Sequence, residues 1–179
     1  MALESVRIAL FLADMYEDLE FWYPRLRMKE EGAKVVAVAP EQGTYKGKNG
    51  LPARADRAIT EVDPRDFDAV IIPGGYSPDH MRRSRPMVDF VTALHRDGKP
   101  VAAICHGGWL LASAGIVKGR RLTSFYSIKD DMENAGATWV DEEVVEDEGI
   151  ITSRNPGDLP AFCRAIIRSL EDTKVAMEL

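Results

Sequence analysis

The run Pro100-Val101-Ala102-Ala103-Ile104-Cys105-His106-Gly107-Gly108-Trp109-Leu110-Leu111 carries the residue types best suited to chemistry. Its first half is short, apolar and rich in small and branched side chains, the pattern of a buried parallel strand. From His106 onward the spacing becomes helical. Cys105 therefore falls in the tight turn between strand and helix, its sulfur above the sheet edge and the unpaired N–H groups of a helix start around it. Those donors and the positive end of the helix dipole favour thiolate over thiol. This is the layout of a nucleophile elbow, with Cys where hydrolases of the α/β type carry Ser. The plainer reading of Cys105 is a buried free cysteine that only packs; Cys163, which shares one helix stripe with Leu159, Phe162, Ile166, Ile167 and Leu170, is taken as packing.

A cysteine nucleophile also needs a base or a stabilised thiolate, and donors for a developing oxyanion. The amides of Gly75 and His106 are the candidates for the oxyanion hole, because Gly74-Gly75-Tyr76 closes another apolar strand; a glycine pair is equally the mark of a plain turn. The only histidines are His80, His95 and His106, and none lies downstream of the elbow. His106 directly follows Cys105. Adjacent helical residues do not face each other, yet in a sharp turn the imidazole can lie beside the sulfur; the alternative is an exposed histidine at a helix start. Glu17 follows the first strand and projects into the same crevice. In a partly apolar cleft its carboxyl would stay protonated and donate to the sulfur, or it is an ordinary first-turn acid that suits the helix dipole.

The elements that must position these groups alternate along the chain. Val6 to Ala13, Lys34 to Ala39, Phe67 to Pro73 and the run ending at Cys105 read as buried strands. A helix from an N-cap at Asp18 to Gly32, bent at Pro24, joins the first two. Turn-rich sequence between Pro40 and Ala58 predicts a small hairpin or extended excursion instead of a full crossover helix. Helices are expected at Pro78 to Arg83, Pro86 to Asp97, His106 to Ala114 and Ile128 to Ala135, with Thr123 to Ser127 extended. Val144-Val145 and Gly149 to Thr152 form a strand pair, a last helix carries the Cys163 stripe, and the tail from Asp172 frays. The result is one α/β domain over residues 1–179, a doubly wound, mostly parallel sheet with helices on both faces. Chemistry in such sheets gathers outside the carboxyl ends of the strands. Three loops end there: Asp14 to Glu17, Gly74 to Asp79 and Cys105 to Gly108.

Composition narrows the function further. At 179 residues the chain buries a substantial core without disulfides, and two cysteines make no disulfide framework. A reducing cytoplasm is the expected location, and apolar runs of strand length give no membrane span. A formal charge of −6 argues against binding nucleic acid through phosphate attraction. No cofactor is expected, since neither a zinc-ligand spacing, a phosphate loop nor a dinucleotide fingerprint is present. A glutamine-hydrolysing amidotransferase resembles the strand-elbow-helix pattern, but its late histidine is missing here.

Four segments, Tyr16-Glu17-Asp18-Leu19-Glu20, Pro73-Gly74-Gly75, Ala103-Ile104-Cys105-His106-Gly107 and Lys129-Asp130-Asp131, occur in order at compatible spacing. With them the chain, from about Val6 to Leu170, resembles the PfpI-type intracellular proteases of the ThiJ/PfpI superfamily. The resemblance implies a flavodoxin-like fold, akin to that of class I glutamine amidotransferases, with Cys105 as nucleophile, Glu17 as its protonated partner and His106 as the adjacent base. Amides near Gly75 and His106 would form the oxyanion hole. An acidic residue after the glycine loop completes the triad in PfpI-type members by reaching the histidine of a neighbouring subunit. Asp79 holds that place, where the family usually has the longer Glu. The site would then lie near the interface of a dimer or hexamer.

Three functional classes follow. The first is a cofactor-independent cysteine enzyme of reactive carbonyls, of the glyoxalase III or deglycase kind that the resemblance brings with it, turning methylglyoxal, glyoxal or their adducts into hydroxy acids. The second is a cysteine peptidase or amidase; the third is a non-enzymatic redox-sensing or chaperone-like stress protein in which Cys105 is oxidised. Gly74, Tyr76, Trp109 and Phe125 are the candidate substrate contacts. Bulk around the cleft favours a small substrate and puts the carbonyl enzyme first.

Overall fold

The computed structural model describes residues 1–177. Alternation of side chains along apolar strands fills two cores at once. In β1 (Arg7–Phe11) and the residue that follows it, Ile8, Leu10 and Leu12 point to one face while Ala9 and Phe11 point to the other. The same division runs through β2 (Lys34–Ala39), β6 (Ala69–Ile72), β7 (Val101–Ile104) and β11 (Ile150–Ser153). A sheet buried on both faces needs a helical layer on each. On the first face lie α1 (Asp18–Glu30) and α6 (Leu159–Met177), through Phe21, Met28, Phe162 and Ile166. On the second lie α2 (Ser77–Arg82), α3 (Arg85–Arg96), α4 (Gly108–Ser113) and α5 (Lys129–Asn134), through Met81, Phe90, Leu94, Leu111 and Met132.

The main sheet has seven strands in the order β10-β11-β7-β6-β1-β2-β5, with β5 at Arg57–Ala58 and β10 at Val145–Asp147. Every neighbouring pair is parallel except β10 with β11. The order puts β1, β6 and β7 side by side at its centre, so the three loops expected to carry chemistry leave one edge together. The turn-rich segment forms the antiparallel hairpin of β3 (Thr44–Lys46) and β4 (Pro52–Arg54). A short parallel pair, β8 (Arg121–Leu122) and β9 (Thr138–Trp139), lies beside the main sheet.

Boundaries differ from the sequence reading in four places. The N-cap of α1 is Glu17, extended in backbone, whose side chain accepts the Glu20 N–H, while the Asp18 carboxylate reaches across to the N–H groups of Asn49 and Leu51 at 2.8 Å each. The helix expected from His106 begins as a 3₁₀ turn over Cys105–Gly107, because the chain must first leave the elbow. Thr123 to Ser127 does not continue as a strand. Phe125 N–H donates to the Cys105 carbonyl and Tyr126–Ile128 close a 3₁₀ turn into α5, so this segment is tethered to the elbow. Finally, Asp172 to Met177 prolongs α6, with Lys174 Nζ donating to the Glu4 carbonyl at 2.6 Å; residues 178 and 179 of the expected frayed tail lie outside the described residues.

Phe162 is fully buried where α6 meets the sheet. Phe162→Ala should lower unfolding free energy by about 3–5 kcal/mol, read from urea midpoints; a loss within about 0.5 kcal/mol, the range of ordinary surface changes, would contradict the packing of this face.

Candidate active site

Cys105 stands at the end of β7 with φ of 61°, in the left-handed region that non-glycine residues rarely occupy. Strain of this kind costs roughly 1–3 kcal/mol and persists only where the surroundings over-determine it. Those surroundings are the β6 and β1 loops. Gly74 packs so closely behind the cysteine that a Cβ there would sit 2.6 Å from Glu20 Oε2 and 2.8 Å from Cys105 Cβ. Gly75, at φ 72°, turns the chain so that it bridges to Tyr16, with the Tyr76 N–H donating to the Met15 carbonyl at 2.8 Å. The two loops are thereby stitched together under the sulfur.

Above Cys105 lies a pocket of about 310 Å³. Gly75, Tyr76, His106, Trp109 and Phe125 line it as the sequence reading expects, and Glu17 reaches its wall. The carboxyl that meets the cysteine, however, belongs to Glu20. Glu17 Oε2 is occupied by capping its own helix, accepting Glu20 N–H at 2.9 Å, and its Oε1 accepts from Asn49 Nδ2 at 3.4 Å. Glu20, one turn later, is fully buried, accepts the Gly74 N–H at 2.7 Å through Oε2, leaves Oε1 without a hydrogen-bond partner, and is close enough to Cys105 for each group to act on the other's ionisation. The spacing Glu17-Asp18-Leu19-Glu20 held the signal: an acid at an N-cap is folded back on its own helix, whereas the acid three residues on faces the sheet.

Burial, reinforced by the charge of Glu17, pushes the Glu20 carboxyl up to about 8, against the opposing pull of the Gly74 amide, Cys105 and Lys48. At neutral pH Glu20 is therefore predominantly protonated, and a protonated carboxyl is a hydrogen-bond donor. Cys105 departs from the sequence reading. The amides of His106 and Gly75 do face the sulfur and favour its thiolate, but burial and the neighbouring Glu20 outweigh them and push the thiol up to about 12. Burial thus opposes the thiolate that the two amides favour.

His106 lies beside the thiol, with Nδ1 3.2 Å from Cys105 Sγ. Burial, then the charge of Lys48, lowers its pKa against the pull of Asp131, so the ring is neutral near pH 7 and able to take a proton. Phe125 stacks on the imidazole at 5.2 Å and Trp109 meets it edge-on at 5.0 Å, which fixes the ring plane. The Trp109 indole N–H is itself held by Asp131 at 2.9 Å. Asp79 is outside the pocket and forms an ion pair with Arg83 on the next turn of its own helix. His80 packs against Tyr76, and His95 sits late in α3. Glu20, Lys48 and Ser127 were not singled out from sequence; only Glu20 left a readable pattern. Among the described residues no group of three or more His, Cys, Asp or Glu side chains converges as a metal-ligand set, and no helix is long and apolar enough to cross a membrane.

The model of the DJ-1/PfpI family matches residues 6–169. The chain belongs to the DJ-1/PfpI family. It is 45% identical to a deglycase of Pyrococcus abyssi, over 93% of this chain and 100% of that one. It is 44% identical to protein/nucleic acid deglycase 2 of Escherichia coli, over 93% and 98%. Among solved structures it is similar, with a TM-score of 0.91 and 42% identity over 92% of this chain, to a two-domain protein from Anabaena variabilis containing DJ-1/ThiJ/PfpI-like and ferritin-like domains, of which it spans 48%. The α/β fold with Cys105 at a strand-helix junction is the fold of these DJ-1/PfpI-family structures.

Glu20 also makes stability depend on pH. Its folded value of about 8 lies above the usual 4.5, so between those values the folded chain keeps a proton that the unfolded chain has lost, and stability falls as pH rises through that window. Glu20→Gln removes this contribution. Denaturant titrations should show the variant gaining stability relative to wild type from pH 4.5 to 8, and a pH-independent difference would contradict a raised Glu20.

Proposed function

We propose that the chain is a deglycase-type enzyme of reactive carbonyls: a cofactor-independent cysteine enzyme that converts methylglyoxal or glyoxal, free or as early adducts on thiols and amines, to hydroxy acids. The observation that carries this reading is the convergence of Cys105, a protonated Glu20 and a neutral His106 in a pocket of only about 310 Å³, at the small end for ligand sites. Family members named deglycases at 44–45% identity support it.

In this reading the Cys105 sulfur attacks the aldehydic carbon of a 2-oxoaldehyde as its proton passes to His106 Nδ1, and the carbonyl oxygen becomes the hydroxyl of a hemithioacetal. The amides of Gly75 and His106 offer donors to the charge that develops on that oxygen. Glu20 and His106 then move a proton from the former aldehydic carbon to its neighbour through an enediol, leaving a hydroxyacyl thioester. Water cleaves the thioester, which releases the hydroxy acid and returns the thiol. The net change is the addition of one water to the 2-oxoaldehyde. Glu20 suits this work because a carboxyl with a value near the working pH exchanges a proton in both directions. Tyr76, Trp109 and Phe125 wall the pocket around such a small substrate.

Self-association belongs to the proposal. Its supports are the sequence resemblance and an outward face of α1 on which Leu19, Tyr23 and Leu26 stay exposed at 55%, 36% and 62%.

The test is methylglyoxal consumption with lactate formation, run beside a fluorogenic peptide assay in fresh reductant. Cys105→Ala should lose lactate formation completely, and Glu20→Gln should reduce it by about 10²–10⁴-fold, the range of a general acid–base contribution. Peptide cleavage dependent on Cys105, with no lactate, would replace the carbonyl enzyme with a peptidase.

A further inference from the structure

We propose that the open edge of β2, at the end of the sheet opposite Cys105, is a binding site for a small phosphate-bearing compound. Arg7 and Lys34 are the first residues of β1 and β2 and are register partners in those parallel strands, so their side chains leave one face of the sheet side by side. Helix α1 brings Arg25 and Lys29 from the other face, and Arg57 opens β5. β5 pairs with β2 only at Val38 and Ala39, which leaves the stretch from Lys34 to Val36 as an uncovered edge. The five cations surround that edge and line a cavity of about 280 Å³ whose only acid is Asp56.

The clustering runs against composition. The whole chain has 29 Asp and Glu against 23 Lys and Arg, yet this one cavity holds an excess of four positive charges. A cleft lined by one sign of charge focuses its field on a counter-ion. Little within the chain neutralises it. Among the described residues Arg7, Lys29, Lys34 and Arg57 make no ion pair, and Arg25 Nη2 meets Asp56 Oδ2 at 3.4 Å. That oxygen already accepts the Ala37 N–H at 2.7 Å. Arg7 Nε and Arg25 Nη1 are buried without a hydrogen-bond partner, a state that calls for a bound ion or water.

Both guanidinium planes are also fixed in advance. Arg7 lies over the Phe67 ring at 4.7 Å, and Arg25 over Phe21 and Trp22 at 5.7 and 5.8 Å. Two held guanidinium groups with flexible ammonium groups beside them suit phosphate, whose oxygens accept several charge-assisted bonds and whose double charge answers more than one cation. A single carboxylate would balance only one of the four. The cavity fits a free mono- or diphosphate compound, whereas a nucleic-acid backbone needs a longer basic stripe.

Inorganic pyrophosphate is the probe, titrated into the full chain by calorimetry at low salt. Wild type should bind one equivalent. Lys34→Gln combined with Arg57→Gln, at two exposed positions, should weaken binding at least about 10-fold, the lower bound for one hydrogen bond to a charged group. Arg164→Gln combined with Arg168→Gln, the same loss of charge on α6, should bind as wild type. Amide NMR should place the pyrophosphate-induced shifts at Lys34 to Val36 and leave the amides of Gly75 and His106 unmoved. Absence of binding, an equal loss in the α6 pair, or shifts centred on Gly75 and His106 would overturn the proposal. So would an oligonucleotide that binds this edge more tightly than pyrophosphate, which would assign it to a polymer. Neither readout uses Cys105 or a carbonyl substrate, so the site stands or falls apart from the proposed reaction.

Discussion

The site depends on two acids, Glu20 and Cys105, buried against each other. Glu20 is fully buried and Cys105 nearly so at the floor of the pocket, and burial pushes both above their ordinary values. Removing a carboxylate and a thiolate from water together would leave two like charges in a poor dielectric, so the stable arrangement keeps both neutral. That constraint turns Glu20 into a donor and opposes the thiolate that the surrounding amides favour. It also explains the density of backbone around the pair. Gly74 has no side chain because Glu20 and Cys105 already occupy the space, and its N–H satisfies Glu20 Oε2.

The fold serves this pair by bringing three strand ends to one point. β1 delivers the loop into α1 and therefore Glu20, β6 delivers the glycine turn, and β7 delivers the strained cysteine. The strain at Cys105 is offset by two packed cores on either face of the sheet, whose burial is far larger than the roughly 1–3 kcal/mol the elbow costs. His106 follows from the same turn: a residue next to the nucleophile comes alongside the sulfur only because the elbow departs from helical geometry. Its ring plane is then fixed by Phe125 and Trp109, and Ser127 Oγ, from a segment roughly twenty residues downstream, lies 3.2 Å from its Nε2.

Much of this was legible in the chain. Continuous apolar runs ending in Gly or Cys mark parallel strands whatever packs on them, so the strands, the hairpin after Pro40 and the elbow at Cys105 stand where the pattern puts them. The choice between Glu17 and Glu20 was not legible by position alone, because both follow the same strand and differ only in which one the helix start consumes as a cap. The burial that opposes a thiolate at Cys105 was hidden for a related reason. A helix N-terminus is visible in sequence and its effect is favourable, but the depth of burial that opposes it is a property of the assembled fold. Ser127 and Lys48 approach the pocket through long-range topology, and no local spacing encodes that. The tail beyond Asp172 looked polar enough to fray; its helix is continued by a lysine contact to the chain's first turn, again a pairing far apart in sequence.

The central claim, that Glu20 is held protonated against the thiol, is tested most directly by infrared difference spectroscopy of wild type against Glu20→Gln below pH 8. The account predicts a carbonyl stretch from a protonated, buried carboxylic acid that is present in wild type, absent from Glu20→Gln and lost as pH rises through about 8. A difference spectrum containing only ionised carboxylate bands at neutral pH would contradict it.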